Sequence, residues 1–241
     1  MTTTEDIRLG VDVGGTFTDV VLLKSNGVAL SQKILSSPPN FGDAIKRCVL
    51  SMLGENDIAP AQIAQYTHGA TVATNAIITR KGAATGLITT LGFRDVLEIR
   101  RMRLHKLYDI QWDRPEPLVP RHLRMEVAGR MDAQGTEIIA LDERAVRQAT
   151  HQLLKAGIES VAICFINAYA NGTHEQRAKA LIEQIAPDLH VSCSSDVLPE
   201  IREYERTSST VINAYVRPIV DAYFRSMEND NRSLGLDIPI M

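Results

Sequence analysis

The stretch GVDVGGTFTDVVLL, Gly10 to Leu23, decides how the chain begins. Leu9 to Val13 reads as a buried strand and Val20 to Leu23 as a second, with Gly14-Gly15 and a run of hydroxyl and carboxylate residues between them. Ser25-Asn26-Gly27 is a hairpin turn signal, and Leu30 to Leu35 supplies a third strand. Strand, glycine-rich turn, strand, turn, strand is an antiparallel meander that opens a domain.

Outward from the meander, Pro38-Pro39 breaks the chain. Asn40 or Asp43 can cap a helix to about Leu53, whose apolar face is Ala44, Ile45, Cys48, Val49 and Met52. Tyr66 to His68 reads as a strand end leading into GATVATNAIITRKG, where Val72, Ala73, Ala76 and Ile77 share a helical face closed by Gly82. Ala84 to Thr89 is strand-like. GFRDVLEIRRMRLHKLYDI reads as a helical turn followed by irregular chain, and Pro115, Pro117 and Pro120 mark a rigid loop. Arg124 to Met131, followed by the turn signal DAQG, predicts a second hairpin.

From Leu141 helices and strands alternate. Asp142 caps a helix to Ala156, Gly157 ends it, and Val161 to Ile166 is a buried strand. Asn171 or Thr173 caps a helix to Ile185, and Leu189 to Ser192 is a strand. That rhythm predicts parallel sheet. From Pro199 the chain is mostly helical, with Val211, Ala214, Tyr215 and Val220 on an apolar face and a kink or restart expected at Pro218.

The composition narrows the function classes. With 44% hydrophobic and 23% charged residues, the chain can build a core and is not disordered. A net charge of -3 gives no electrostatic case for nucleic acid or an anionic membrane. Cys48, Cys164 and Cys193 lie far apart, so neither a zinc site nor a redox dithiol is suggested, and their sparse number fits a reducing compartment. MTTTEDIRLG lacks the basic and apolar regions of a signal peptide. No apolar run approaches the ~20 residues that span a bilayer. The expected location is the cytoplasm.

Two glycines between strands let backbone N–H groups approach an anion closely. Thr16 and Thr18 add hydroxyls, and Asp12 at the end of the first strand is a carboxylate suited to Mg²⁺ or its bound water. Asp19 can act similarly or tie the turn. The string lacks the GK[ST] of a P-loop and is not GxGxxG opening a helix. A plain type I′ hairpin turn at Gly14-Gly15 is the structural alternative. The longer pattern D-x-G-G-T-x-T-D resembles the first phosphate loop of the sugar kinase, Hsp70 and actin superfamily.

GVDVGGTFTDVV, THGATVATNAIITRKGA, GLITTLGFRDVLEIRR, LYDIQWDRPEPLVPR and PEIREYERTSSTVINAYVRP occur in this order. Together they resemble the hydantoinase A, 5-oxoprolinase and acetone carboxylase family over nearly the whole chain. The resemblance implies an α/β fold: a ribonuclease H-like (actin-like ATPase) lobe with a mixed sheet flanked by helices, and an incomplete second lobe. It implies a hydantoinase/oxoprolinase N-terminal domain over 1–187 and the truncated start of the hydantoinase A core domain over 188–241. It also implies ATP and Mg²⁺ as cofactors, a hydantoinase B-like partner subunit, and hydrolysis of a cyclic amide of hydantoin or 5-oxoproline type through phosphorylation of its carbonyl.

On that resemblance Asp12 organises Mg²⁺ and takes part in catalysis, while Gly14, Gly15 and Thr16 cradle phosphate with Thr18 and Asp19 in support. His68 is the second catalytic candidate, and Thr71, Thr74, Asn75, Arg100 and Arg101 face the substrate. Where the family usually shows HGTT, this chain has His68-Gly69-Ala70-Thr71, one hydroxyl fewer, which leaves the substrate open. The family chain continues beyond Ile240-Met241 with a further glycine-rich segment, so this chain alone is expected to be catalytically incomplete. The alternatives are a small-molecule kinase of the same superfamily and a non-catalytic, partner-binding module.

Each candidate also has a bland reading. His68 can be a hydrogen-bonded structural histidine, and Thr71, Thr74 and Asn75 can simply cap a helix. Glu98, Arg100, Arg101 and Arg103 can form a solvated, salt-bridged face, and Arg202 to Ser208 can hold helix ion pairs. His174-Glu175 lacks the second histidine of HExxH, no GxSxG is present, and Cys164 within VAICF reads as core.

Overall fold

The computed structural model describes residues 6–37, 41–101, 108–109, 111, 113, 115–236 and 238–241. Pro38, Pro39, Asn40, Arg103 and His105 lie outside them. The chain divides into two compact units, Met1–Lys81 with Ile219–Met241 and Gly82–Pro218.

The first unit opens with the meander. β1 (Ile7–Val13) pairs antiparallel with β2 (Phe17–Leu23), which pairs antiparallel with β3 (Ala29–Leu35). Alternation along β1 buries Ile7, Leu9, Val11 and Val13 and leaves Asp12 exposed. α1 (Phe41–Glu55) covers the sheet with the expected positions Ala44, Ile45, Cys48, Val49 and Met52. Asp43 lies within its first turn, where a carboxylate suits the helix dipole, rather than ahead of it as the cap. A 3₁₀ turn at Pro60–Gln62 leads to β4 (Ile63–Ala70), which adds parallel to β1 and completes a mixed sheet of order β3-β2-β1-β4. Ile240 bridges parallel to Tyr66 on the outer side of β4, with Met241 N–H donating to the Tyr66 carbonyl at 2.9 Å.

The short α2 (Val72–Ile78) follows β4. It ends four residues before Gly82, and the turn that stops it is made by Arg80 at φ 53°. Gly82 answers a packing need instead: a Cβ there would lie 2.0 Å from the Tyr215 ring.

The second unit is built on β5 (Thr85–Thr90), followed by the single helical turn α3 (Val96–Ile99). β6 (Arg124–Val127) lies parallel to β5. The hairpin expected over Arg124 to Met131 is therefore split. Gly129, at φ 156°, separates β6 from a small antiparallel pair, β7 (Arg130–Met131) with β8 (Glu137–Ile139), around the DAQG turn.

α4 (Glu143–Lys155) starts at Asp142, whose side chain accepts from Ala145 N–H at 2.9 Å, and stops before Gly157 at φ 78°. β9 (Ser160–Cys164), α5 (Thr173–Ile185) and β10 (His190–Cys193) complete a four-stranded parallel sheet of order β10-β9-β5-β6. Asn171 accepts from both the Thr173 N–H and its hydroxyl, so it shapes the start of α5 although Gly172 occupies the cap position.

A helical turn, α6 (Ser194–Val197), precedes the long α7 (Glu203–Ser233). α7 continues through Pro218 without a restart. In the second unit Val211 and Ala214 pack with Leu87, Leu97, Val119, Ala162 and Cys164 on one sheet face, while α4 and α5 cover the other. This is the expected α/β architecture, a mixed sheet flanked by helices. Among the described residues no helix is long and apolar enough to cross a membrane.

Candidate functional site

The register of the first sheet assembles the site. Asp12 pairs across to Asp19 on β2 and to Gly69 on β4, so both the turn after β1 and the end of β4 lie beside one carboxylate. The turn is not the type I′ hairpin, because neither Gly14 nor Gly15 takes a positive φ. Its glycines answer close approach. A Cβ on Gly14 would meet the Phe17 carbonyl at 2.9 Å, and one on Gly15 would meet the Asn75 side-chain amide at 3.1 Å.

The turn is braced from below. Gly14 N–H donates to the Phe17 carbonyl, the Ser36 hydroxyl donates to the Gly14 carbonyl, and Ser36 N–H donates to the Thr16 carbonyl, each at 2.9 Å. Thr18 is 1% exposed and its hydroxyl is 2.9 Å from that of Ser36, so it supports the turn from within. Gly15 and Thr16 are exposed, and among the described residues their N–H groups have no acceptor. Asp19 forms an ion pair with Lys33 at 2.6 Å.

The other side of the turn is tied to α2. Thr71 donates its N–H and hydroxyl to the Val13 carbonyl at 3.1 and 3.2 Å, and the Asn75 amide donates to the Thr71 hydroxyl at 3.1 Å. Thr74 is exposed on α2. Gly69 lies directly against Asp12, since a Cβ there would come within 2.9 Å of its Oδ1.

His68, the neighbour of Gly69, sits between two phenols. Its Nε2 is 2.5 Å from the Tyr223 hydroxyl and its Nδ1 is 3.5 Å from the Tyr66 hydroxyl. Burial lowers the His68 pKa to about 4 against an opposing pull from the Asp12 charge. Burial also raises Tyr223 to about 12, helped by Asp12, and pushes Tyr66 upward. The imidazole is therefore neutral and both phenols are protonated at neutral pH. Tyr223 is the residue that sequence reasoning missed: 155 positions separate it from His68, and no local spacing signals the pair.

Arg100 and Arg101 belong to the second unit. Arg100 donates to the Pro115 carbonyl, and Arg101 pairs with Glu205 at 2.7 Å. Glu98 is bound by the buried Arg124 at 2.9 Å. A groove of about 490 Å³ in the first unit, lined by Phe224, Glu228, Arg232, Leu236 and Ile240, contains none of the residues singled out above.

An exposed carboxylate, two backbone N–H groups with no acceptor among the described residues, and glycines crowded by Phe17 and Asn75 lie at the carboxyl ends of β1 and β4, a set of groups suited to oxygen ligands and anions. Residues 8–186 match the family model of the hydantoinase/oxoprolinase N-terminal region. The chain belongs to the hydantoinase/oxoprolinase family. Caprolactamase subunit alpha of Pseudomonas jessenii is 37% identical over 242 residues, 98% of this chain and 35% of that relative. The crystal structure of the ATP-dependent caprolactamase from the same organism superposes with a TM-score of 0.87 at 37% identity, covering 97% of this chain and 35% of that one. Nucleotide-free acetone carboxylase gives a TM-score of 0.88 at 27% identity, covering 98% and 36%. This hydantoinase/oxoprolinase chain spans about a third of the length of the curated relatives it matches.

Proposed function

We propose that this chain supplies the nucleotide-phosphate edge of an ATP-dependent enzyme that opens cyclic amides. The observation that carries the reading is the exposed Asp12 carboxylate, one strand end away from the Gly15 and Thr16 N–H groups, which have no acceptor among the described residues. A 37% identical relative described as an ATP-dependent caprolactamase supports the substrate class. The relative's designation as subunit alpha supports a hydantoinase B-like partner subunit.

An amide is a poor electrophile because nitrogen donation makes its oxygen, not its carbon, the reactive atom. Transfer of the γ-phosphoryl group of ATP to that oxygen breaks the bond to the β-phosphate, releases ADP and makes the carbon open to water. Water adds at carbon, the ring C–N bond breaks with the electron pair going to nitrogen, and a second water releases phosphate. One ADP, one phosphate and one amino acid form per ring opened.

The protein's part is placement and charge stabilisation. Gly15 and Thr16 N–H groups hold phosphate oxygens, with Gly14, Thr18 and Asp19 keeping the turn in shape. Asp12 would hold Mg²⁺, which neutralises phosphate charge when bound. The neutral His68, with Thr71, Thr74 and Asn75, lines the substrate side. Arg100 and Arg101, engaged with Pro115 and Glu205, bind substrate only if those contacts exchange.

The test is product stoichiometry. Incubation of the native polypeptide and its partner with ATP and a five- to seven-membered lactam should give ring-opened acid, ADP and phosphate in equal amounts. A stable phosphorylated product would identify a kinase of the same superfamily instead.

A further inference from the structure

His68 and Tyr223 meet through a short hydrogen bond, with 2.5 Å between Nε2 and the hydroxyl. A phenol O–H is a stronger acid than the N–H of a neutral imidazole, and the imidazole nitrogen is a stronger base than a phenol oxygen. The contact is therefore one in which the phenol O–H donates and Nε2 accepts. The rings lie 5.6 Å apart and tilted by 43°, so the contact is made through the hydroxyl rather than by stacking.

The other groups facing His68 agree with this assignment. Tyr66 on β4 is 1% exposed, stands edge-on to the imidazole with its ring centroid 6.0 Å away, and offers its hydroxyl 3.5 Å from Nδ1. Asp12 on β1 contributes the negative charge felt by both His68 and Tyr223. The backbone of His68 is held as well, its N–H donating to the Met241 carbonyl at 2.8 Å.

We propose that Tyr223 is the positioning residue for His68: its hydroxyl donates to Nε2 and holds the ring as the Nδ1-protonated neutral tautomer. Nδ1–H is then the nitrogen that can donate, and the Nε2 lone pair is occupied until Tyr223 moves. The importance of the tautomer for catalysis rests on the reading of His68 as a site residue, but the tautomer itself does not.

The experiment is nitrogen-15 NMR of the histidine rings in the native polypeptide at neutral pH, with the His68 signals assigned by their loss in His68→Asn. The expected spectrum shows an unprotonated Nε2 and a protonated Nδ1. Tyr223→Phe removes the donor, and the tautomer ratio should move toward Nε2–H by roughly two- to tenfold, the worth of one hydrogen bond. Tyr66→Phe, with its long contact, should leave the ratio nearly unchanged. A protonated Nε2 in the parent chain, or a Tyr223→Phe spectrum with the parent ratio, overturns the proposal. If Tyr223→Phe does not fold, the parent spectrum alone decides. No nucleotide or lactam is present, so failure of the proposed activity leaves this result standing, and the reverse also holds.

Discussion

Gly69 lies against the carboxylate of Asp12 so closely that a Cβ at position 69 would come within 2.9 Å of Oδ1 and 3.6 Å of Cγ. The absent side chain of one residue therefore sets the position of the other's charged group. Gly69→Ala should push the carboxylate aside while the chain still folds. The expected outcome is a KM for Mg·ATP raised about tenfold or more, with a melting temperature close to that of the parent. An unchanged KM would mean that Asp12 does not need this position.

Glu175 is fully buried in the second unit and accepts from the Phe165 N–H, the Ser194 hydroxyl and the Ser195 N–H at 2.8, 2.6 and 2.8 Å. Burial raises its pKa, opposed by these same donors. Glu175→Gln turns an NH₂ toward some of them and should cost about 1–3 kcal/mol. Denaturant unfolding measures this, and a midpoint equal to the parent's would contradict it.

Arg206 is likewise fully buried. It donates to the carbonyls of Glu200 and Phe165 at 2.6 and 3.0 Å and lies over the Tyr169 ring at 5.7 Å. Arg206→Ala takes the guanidinium donor from the Glu200 carbonyl, leaves the Phe165 carbonyl with the Ala168 N–H at 3.3 Å, and removes the packed stem, a loss of roughly 2–5 kcal/mol. Thermal unfolding should show the drop, while Arg101→Ala, an exposed partner of Glu205, should leave the midpoint nearly unchanged.

The pH dependence of stability follows from His68. Its pKa falls from 6.5 to about 4 on folding, mainly through burial. Between those values the unfolded chain binds a proton that the folded chain refuses, so this group favours unfolding as pH falls through that window. Its contribution is fully regained above pH 6.5. His68→Gln should therefore lose less stability than the parent between pH 7 and pH 4, as read from denaturant midpoints. Parallel curves for the two chains would show that His68 is not buried as described.

The meander, the Asp12 turn and the α/β rhythm from Leu141 onward were legible because each rests on local signals: alternation, turn glycines and caps. Arg124 to Val127 was assigned to the wrong pairing because its partner, β5, is remote in sequence, and alternation alone does not distinguish parallel from hairpin pairing. Of the kink or restart expected at Pro218, the restart does not occur, because α7 is continuous through it. The glycines at 14 and 15 drew attention to the turn, but their reason is the nearness of Phe17 and Asn75 rather than a left-handed backbone. Tyr223 was invisible because a helix beginning at Glu203 delivers it to a strand end that precedes it by more than a hundred residues.

The central claim is that the Gly14–Thr16 turn holds the phosphates of ATP and that Asp12 would hold their Mg²⁺. Lactam-dependent phosphate release by the native polypeptide with its partner, compared with Asp12→Asn, tests it most directly. Asp12→Asn should lower that release at least about 10²-fold, the scale of losing one charge-stabilising group, with folding unchanged. Turnover equal to the parent's in a folded Asp12→Asn protein would contradict it.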